Sequence, residues 1–320
     1  MTVGGPTITL PDGHKMPQVG LGTWQSNPGE VEKAVKVAVK DGYRLIDTAQ
    51  GYENEEEIGN ALQELYNEGV IKREDVFITT KIWSTHLNPE RQEAIVKESL
   101  RKLRTDYLDL VLAHMPAAAS EDMSKHENDI SVEDIWKALE KHVEKGLVRS
   151  IGVSNFNEEQ IERIAKIATV PIASSQVELH IYLPQHKMLE VCKKHGIVVT
   201  SYATLGSPGR VNFRLKSGAK LVWAEAPSAL DNPLVIELAK KYNKTPAQIL
   251  IRWAMDLGVA VIPKSVNGDR IKQNFELFDF HLEQDEVEKL SHREHHQRLF
   301  LQDFMEGHKE DAFADERGKQ

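Results

Sequence analysis

Short apolar runs alternate with longer stretches in which apolar residues recur at helical spacing, and the alternation continues through most of the chain. The apolar runs at residues 19–23, 44–47, 76–80, 108–113, 150–153, 173–178, 198–202 and 259–262 predict eight strands. Helical periods over 29–40, 54–68, 89–103, 132–145, 158–168 and 185–195 predict helices between them. Strand followed by helix, repeated, implies parallel strands joined by crossovers. Eight such units without a composition break favour an α/β fold built as one closed (β/α)8 TIM barrel, a single domain over residues 1–320. A β-hairpin is expected ahead of the repeat, within residues 1–17, folding about the turn at 11–14. Three segments break the rhythm: 115–130, 205–232 and the C-terminal loop and tail at 280–320. The first two fall on the C-terminal face, where they can rim a pocket; the C-terminal segment is expected to fold over the mouth and select substrates, with its charged end at 309–320 frayed.

Composition narrows the class. Hydrophobic residues are 40% and charged residues 28% of 320, as in a soluble globular chain with a sizeable core. The net charge is −9 and no block of Lys or Arg could track a phosphate backbone, which argues against a nucleic-acid partner. A lone cysteine, Cys192, excludes an internal disulfide framework and fits a reducing compartment; its amphipathic surroundings predict a buried, inert thiol. No basic-then-apolar leader is visible, and no apolar stretch approaches the ~18 residues of a membrane helix. A cytoplasmic monomer acting on a small molecule is the expectation.

Four residues carry the candidate chemistry. Asp47, Tyr52, Lys81 and His114 each sit at or near the C-terminal end of a predicted strand, and in a parallel barrel those ends open onto one face. A free phenol, with a pKa near ~10, is a poor acid at neutral pH. A neighbouring ammonium should lower that value, and a carboxylate beside the lysine should keep the ammonium charged. Asp47 would then hold Lys81, Lys81 would tune Tyr52, and the phenol could protonate a reduced carbonyl. His114 is a candidate to orient the carbonyl oxygen. A plainer alternative is a buried Asp47–Lys81 ion pair with Tyr52 capping the next helix. A hydride source is suggested elsewhere: Lys264, Ser265 and Arg270 surround a helix start and could cradle a phosphate monoester. Ser154, Asn155 and Gln176 offer amide and hydroxyl groups for a carboxamide, and Tyr202 a face for stacking. No Gly-x-Gly-x-x-Gly strand-to-helix turn is present, against a Rossmann site. His292, His295 and His296 have no acidic or cysteine partner placed with them, so no metal is expected.

Together these residues resemble the aldo-keto reductase family over nearly the whole chain. The resemblance is carried by GLGTW (20–24), RLIDTAQGYENEEE (44–57), KIW (81–83), DYLDLVLAH (106–114), IGVSNF (151–156), QVE (176–178) and IPKSV (262–266). It implies a β/α barrel that reduces aldehydes and ketones with NADPH, through a tetrad of Asp47, Tyr52, Lys81 and His114. It implies further that Ser154, Asn155 and Gln176 hold the nicotinamide, stacked on Tyr202, with Thr23, Trp24 and Asp47 beside it. Leu205 and Ser207 would follow the pyrophosphate; Lys264, Ser265, Val266, Asn267 and Arg270 would meet the adenosine phosphate, with Gln273 and Asn274 near the adenine. Trp24, Tyr52, Trp83, His114, Met115 and Trp223 are the substrate candidates. This chain departs from the pattern at Met115, where many members have Trp, at Ser175, at Ala203-Thr204-Leu205-Gly206, and at Gln273. Two other readings stay open at this point: an NADPH-binding sensor with weak catalysis, and a carboxylate-dependent hydrolase.

Overall fold

The computed structural model describes residues 3–213, 223 and 225–317. Its first two strands, β1 (Thr7–Thr9) and β2 (Lys15–Pro17), form the expected antiparallel hairpin. Eight parallel strands follow: β3 (Leu21–Gly22), β4 (Leu45–Asp47), β5 (Phe77–Ile82), β6 (Leu108–Ala113), β7 (Val148–Ser154), β8 (Ser174–Glu178), β9 (Val198–Tyr202) and β10 (Ala260–Val261). They pair in chain order, β3 to β10. Parallel bridges Val19–Val261 and Gly22–Lys264 join the two ends and close the barrel. The seam is tight: a Cβ on Gly22 would lie 2.4 Å from the Ile262 carbonyl oxygen, so this position tolerates only glycine without a shift.

Residues along the strands alternate between two cores. Leu45, Leu110 and Leu112 point inward with Phe77, Val198 and Ile262, and the hairpin's Leu10 and Met16 pack into the same cluster, plugging the floor. Ile46, Ile78, Val111 and Ile151 face outward onto the helices. The helices are α1 (Glu30–Lys40), α2 (Glu55–Asn67), α3 (Pro89–Leu103), α4 (Val132–Glu144), α5 (Glu158–Ile167), α6 (His186–Lys194), α7 (Pro233–Tyr242), α8 (Pro246–Asp256), α9 (Gly268–Gln273) and α10 (Gln284–Leu290). Several starts were written locally: Asn88 caps α3 ahead of Pro89, and Ser131, Asn157 and Thr245 form capping boxes with Asp134, Gln160 and Gln248.

Three expectations shift. The third predicted strand runs on to Ile82, so Lys81 lies within β5 rather than after it. The first and last barrel strands shrink to two residues each, because pairing across the seam is reduced to single bridges. The charged tail does not fray, at least to Arg317. Glu310, 3% exposed, accepts hydrogen bonds from Arg163 at 2.8 and 2.9 Å, and Arg317 donates to Asp311 and to the Leu301 carbonyl. Alternating charge reads as a solvated tail until its partners on α5 are known.

Candidate active site

Asp47 ends β4, and its neighbour across β3, Gly22, bridges Lys264 on the other side of the seam. The tetrad end of the barrel and the basic rim therefore share one level. Asp47 and Lys81 are buried side by side, with Lys81 Nζ 2.5 Å from Asp47 Oδ1. The same ammonium donates to the Thr48 carbonyl at 2.9 Å and to the Tyr52 hydroxyl at 3.2 Å. Its three protons thus have three acceptors. Asp47 Oδ2 accepts from Gln176 Nε2 at 2.8 Å. Thr23 Oγ1 donates to the Asp47 carbonyl at 2.9 Å, and Asn54 ties Thr23 to Thr48 through two 2.9 Å bonds. Asn54 was not singled out in the sequence; its place two residues after Tyr52, at a helix start, was the available signal.

Burial pushes the Asp47 carboxyl above its ordinary range, against the pull of the Lys81 ammonium and the Gln176 amide. For Lys81, burial works to discharge the amine, but Asp47 and Tyr52 outweigh it and the ammonium is held. Tyr52 departs from expectation. Lys81 does pull its pKa down, but burial is the larger influence and the phenol stands above its ordinary value. His114 is pushed well below its usual range by burial and then by Lys81, so its ring is neutral. Its Nδ1 is buried without a hydrogen-bond partner among the described residues, and the ring packs edge-on to Trp83 at 4.9 Å and to Tyr52 at 5.7 Å.

The carboxamide candidates form a connected set. Asn155, in the left-handed region with φ of 61°, donates through Nδ2 to the His114 carbonyl and to Ser154 Oγ, and its Oδ1 accepts from the Tyr202 hydroxyl at 2.6 Å. Ser175 is buried and its hydroxyl meets Met188 rather than the mouth. On the rim, Lys264 and Arg270 are both exposed; burial is the main cause of the lowered Lys264 pKa, with Glu30 favouring its charge and Arg270 opposing it. Lys264 Nζ donates to the Gln25 carbonyl at 2.8 Å, and among the described residues no carboxylate forms a salt bridge with either cation. Two clustered cations with no carboxylate in salt-bridge contact suit a phosphate monoester, so these residues fit the adenosine end of NADPH. Asn267 is spent capping the Arg270 amide, and Ser265 accepts from the Asn267 amide. Val266 and Leu205 are half-buried against the core, and Ser207 opens the Pro208–Asn212 turn in a left-handed conformation. Gln273 is exposed and Asn274 buried at the end of α9.

Aromatic rings wall the mouth. Trp24 lies 5.5 Å from Phe213 and 5.7 Å from Phe300, Trp223 lies 5.3 Å from Phe300, and Trp83 lies 5.3 Å from Phe304. Met115 is buried with Ala117, Met305 and Phe313. Phe300 and Phe304 were missed in the sequence; the run Leu299-Phe300-Leu301 inside a charged tail was a sign of docking. Cys192 is buried against Met188, its thiol pushed up to about 12 by burial. Of the three C-terminal histidines, His295 bonds the Ile181 carbonyl and His296 donates to Glu316; no metal-holding group of three or more such side chains occurs among the described residues. No described helix is long and apolar enough to cross a membrane.

Known proteins are similar to this chain over most of its length. The model of the aldo/keto reductase family matches residues 18–293. Aldo-keto reductase family 1 member A1 of Gallus gallus is 44% identical over 299 residues, covering 90% of this chain and 88% of that one. The human protein of the same name is 41% identical over 296 residues, covering 89% and 88%. Among solved structures, the aldose reductase of Schistosoma japonicum superposes with a TM-score of 0.86 at 38% identity, covering 98% of this chain and all of that one. A Bombyx mori aldo-keto reductase in complex with NADP gives 0.81 at 36%, covering 91% and 92%.

Proposed function

The chain belongs to the aldo/keto reductase family, and on that premise we propose that Tyr52 delivers the proton in its NADPH-dependent reduction of aldehydes and ketones to alcohols. The observation that carries the assignment is the Lys81 ammonium: Tyr52 accepts its third proton at 3.2 Å, which leaves the phenol's own O–H to be given to a substrate oxygen. A phenol raised by burial remains a competent donor, because an alkoxide is a stronger base than any phenolate. Asp47 holds the ammonium charged in a dry site, and Gln176 holds the second Asp47 oxygen. Neutral His114 can donate a ring N–H to the carbonyl oxygen without competing as an acid. Lys264 and Arg270 would hold the cofactor's adenosine phosphate; Ser154, Asn155 and Gln176 its carboxamide; and Tyr202 its nicotinamide face. When bound, NADPH supplies the hydride for the carbonyl carbon.

Trp24, Trp83, Trp223 and Met115 are proposed to shape the substrate space, with Trp83 packed against the apolar cluster that holds Met115. The chain is further proposed to act as a cytoplasmic monomer on small molecules, and its net charge of −9 argues against nucleic acid as a partner. The test is consumption of NADPH across sugars, lipid-derived aldehydes, dicarbonyls and steroids, with the alcohol identified as product. Tight NADPH binding with no turnover on any of the four would turn the reading toward a sensor.

A further inference from the structure

Glu178 ends β8 and is fully buried, at a place where packing alone would call for an apolar side chain. Its carboxylate takes three donors. Oε1 accepts from the Leu299 amide at 2.7 Å and from His180 Nε2 at 2.8 Å, and Oε2 accepts from the Phe300 amide at 3.0 Å. Two of the three come from residues 121 and 122 positions later, in the C-terminal segment. Successive backbone amides facing one anion form a tight, directional site, and bonds to a charged acceptor are stronger than neutral ones. Here the barrel supplies the anion and the C-terminal segment the amides.

The residue so gripped is the one that reaches the mouth. The Phe300 ring packs 5.7 Å from Trp24, 5.8 Å from Tyr202 and 5.3 Å from Trp223. Arg298, two residues before it, is committed to Glu316 at 2.7 and 2.8 Å and stacks on Phe313, so the Leu299 and Phe300 amides, not that guanidinium, bond the Glu178 carboxylate directly.

We propose that Glu178 is a positioning residue for substrate selection: by clamping the Leu299 and Phe300 amides it fixes the Phe300 ring as a wall for aldehydes that carry an aromatic or bulky apolar group. The inference rests on the carbonyl-reductase reading above and extends it. A short aliphatic aldehyde does not reach that wall and should not sense the clamp.

Glu178→Gln keeps the shape but turns an NH2 toward one of the amides, donor against donor. Its KM for nitrobenzaldehyde should rise about tenfold with kcat little changed, while the KM for propanal and the affinity for NADPH stay at wild-type values. Amide exchange in residues 297–305 should quicken. Leu299→Pro deletes one gripped N–H from the outer side of the clamp and should give the same split, so the test stands even where the Glu178 variant does not fold. Phe300→Ala should raise the nitrobenzaldehyde KM alike, and Glu178→Gln added to it should raise it no further. Wild-type nitrobenzaldehyde KM in both Glu178→Gln and Leu299→Pro, or full additivity with Phe300→Ala, overturns the clamp. Failure of the wild-type enzyme to reduce propanal would instead strike the carbonyl-reductase reading.

Discussion

Replacing Tyr52 by Phe removes one oxygen and little else. That oxygen receives a single bond from Lys81, at 3.2 Å, while Lys81 keeps Asp47 at 2.5 Å and the Thr48 carbonyl at 2.9 Å. The ring stays under the ammonium, whose Nζ lies 4.8 Å from its centroid. Loss of one hydrogen bond to a charged donor should cost about 1–2 kcal/mol of stability, which leaves the fold intact. The chemical step suffers far more. A positioned general acid contributes ~10²–10⁴-fold, equivalent to about 3–5 kcal/mol of barrier. Single-turnover reduction, followed by the loss of NADPH absorbance, should fall by that factor, whereas NADPH titration by fluorescence should give an unchanged Kd because no proposed cofactor contact is touched. Wild-type turnover in the variant would refute the donor assignment. A parallel loss of NADPH affinity would show that the hydroxyl serves binding instead.

Other expectations follow from the same geometry. Lys264→Met should weaken NADPH binding by about 10-fold to 100-fold, the worth of one charge-assisted contact, and leave NADH nearly untouched; equal losses for both cofactors would remove Lys264 from the phosphate. Buried His142, with neither ring nitrogen hydrogen-bonded among the described residues, is lowered to about 4 by burial. Its unfolded value is near ~6.5, so the unfolded chain binds the extra proton first, and stability is full above that pH and lost as pH falls toward 4. His142→Leu should flatten this slope, by on the order of 2 kcal/mol; chemical denaturation at a series of pH values measures it. Cys192, with its thiol at about 12, should resist alkylation in the native state and react only on unfolding, and rapid labelling of folded protein would contradict its burial.

Much of the architecture is legible because each strand and helix is a local pattern. Predicted strands at 108–113 and 198–202 match β6 and β9 to the residue, and the predicted helix at 89–103 matches α3, since Asn88 and Pro89 mark its start. The meeting of Asp47, Tyr52, Lys81 and His114 is legible for the same reason: residues at or near the C-terminal ends of consecutive parallel strands share a face. The closing seam was not legible, because two-residue strands joined by lone bridges leave too short a period to read. Nor was the anchoring of the C-terminal segment, whose charges look solvated until Arg163 and Glu178 are brought to them from the barrel.

By itself the sequence determined which elements form, their order, and which four side chains meet at one end of the barrel, all consequences of short-range periodicity and the geometry of parallel strands. Tertiary structure alone decided the electrostatic balance and the walls of the site. Burial outweighs Lys81 at Tyr52 because desolvation depends on everything packed around the phenol, and Phe300 reaches the mouth because a carboxylate 122 residues earlier holds its amide.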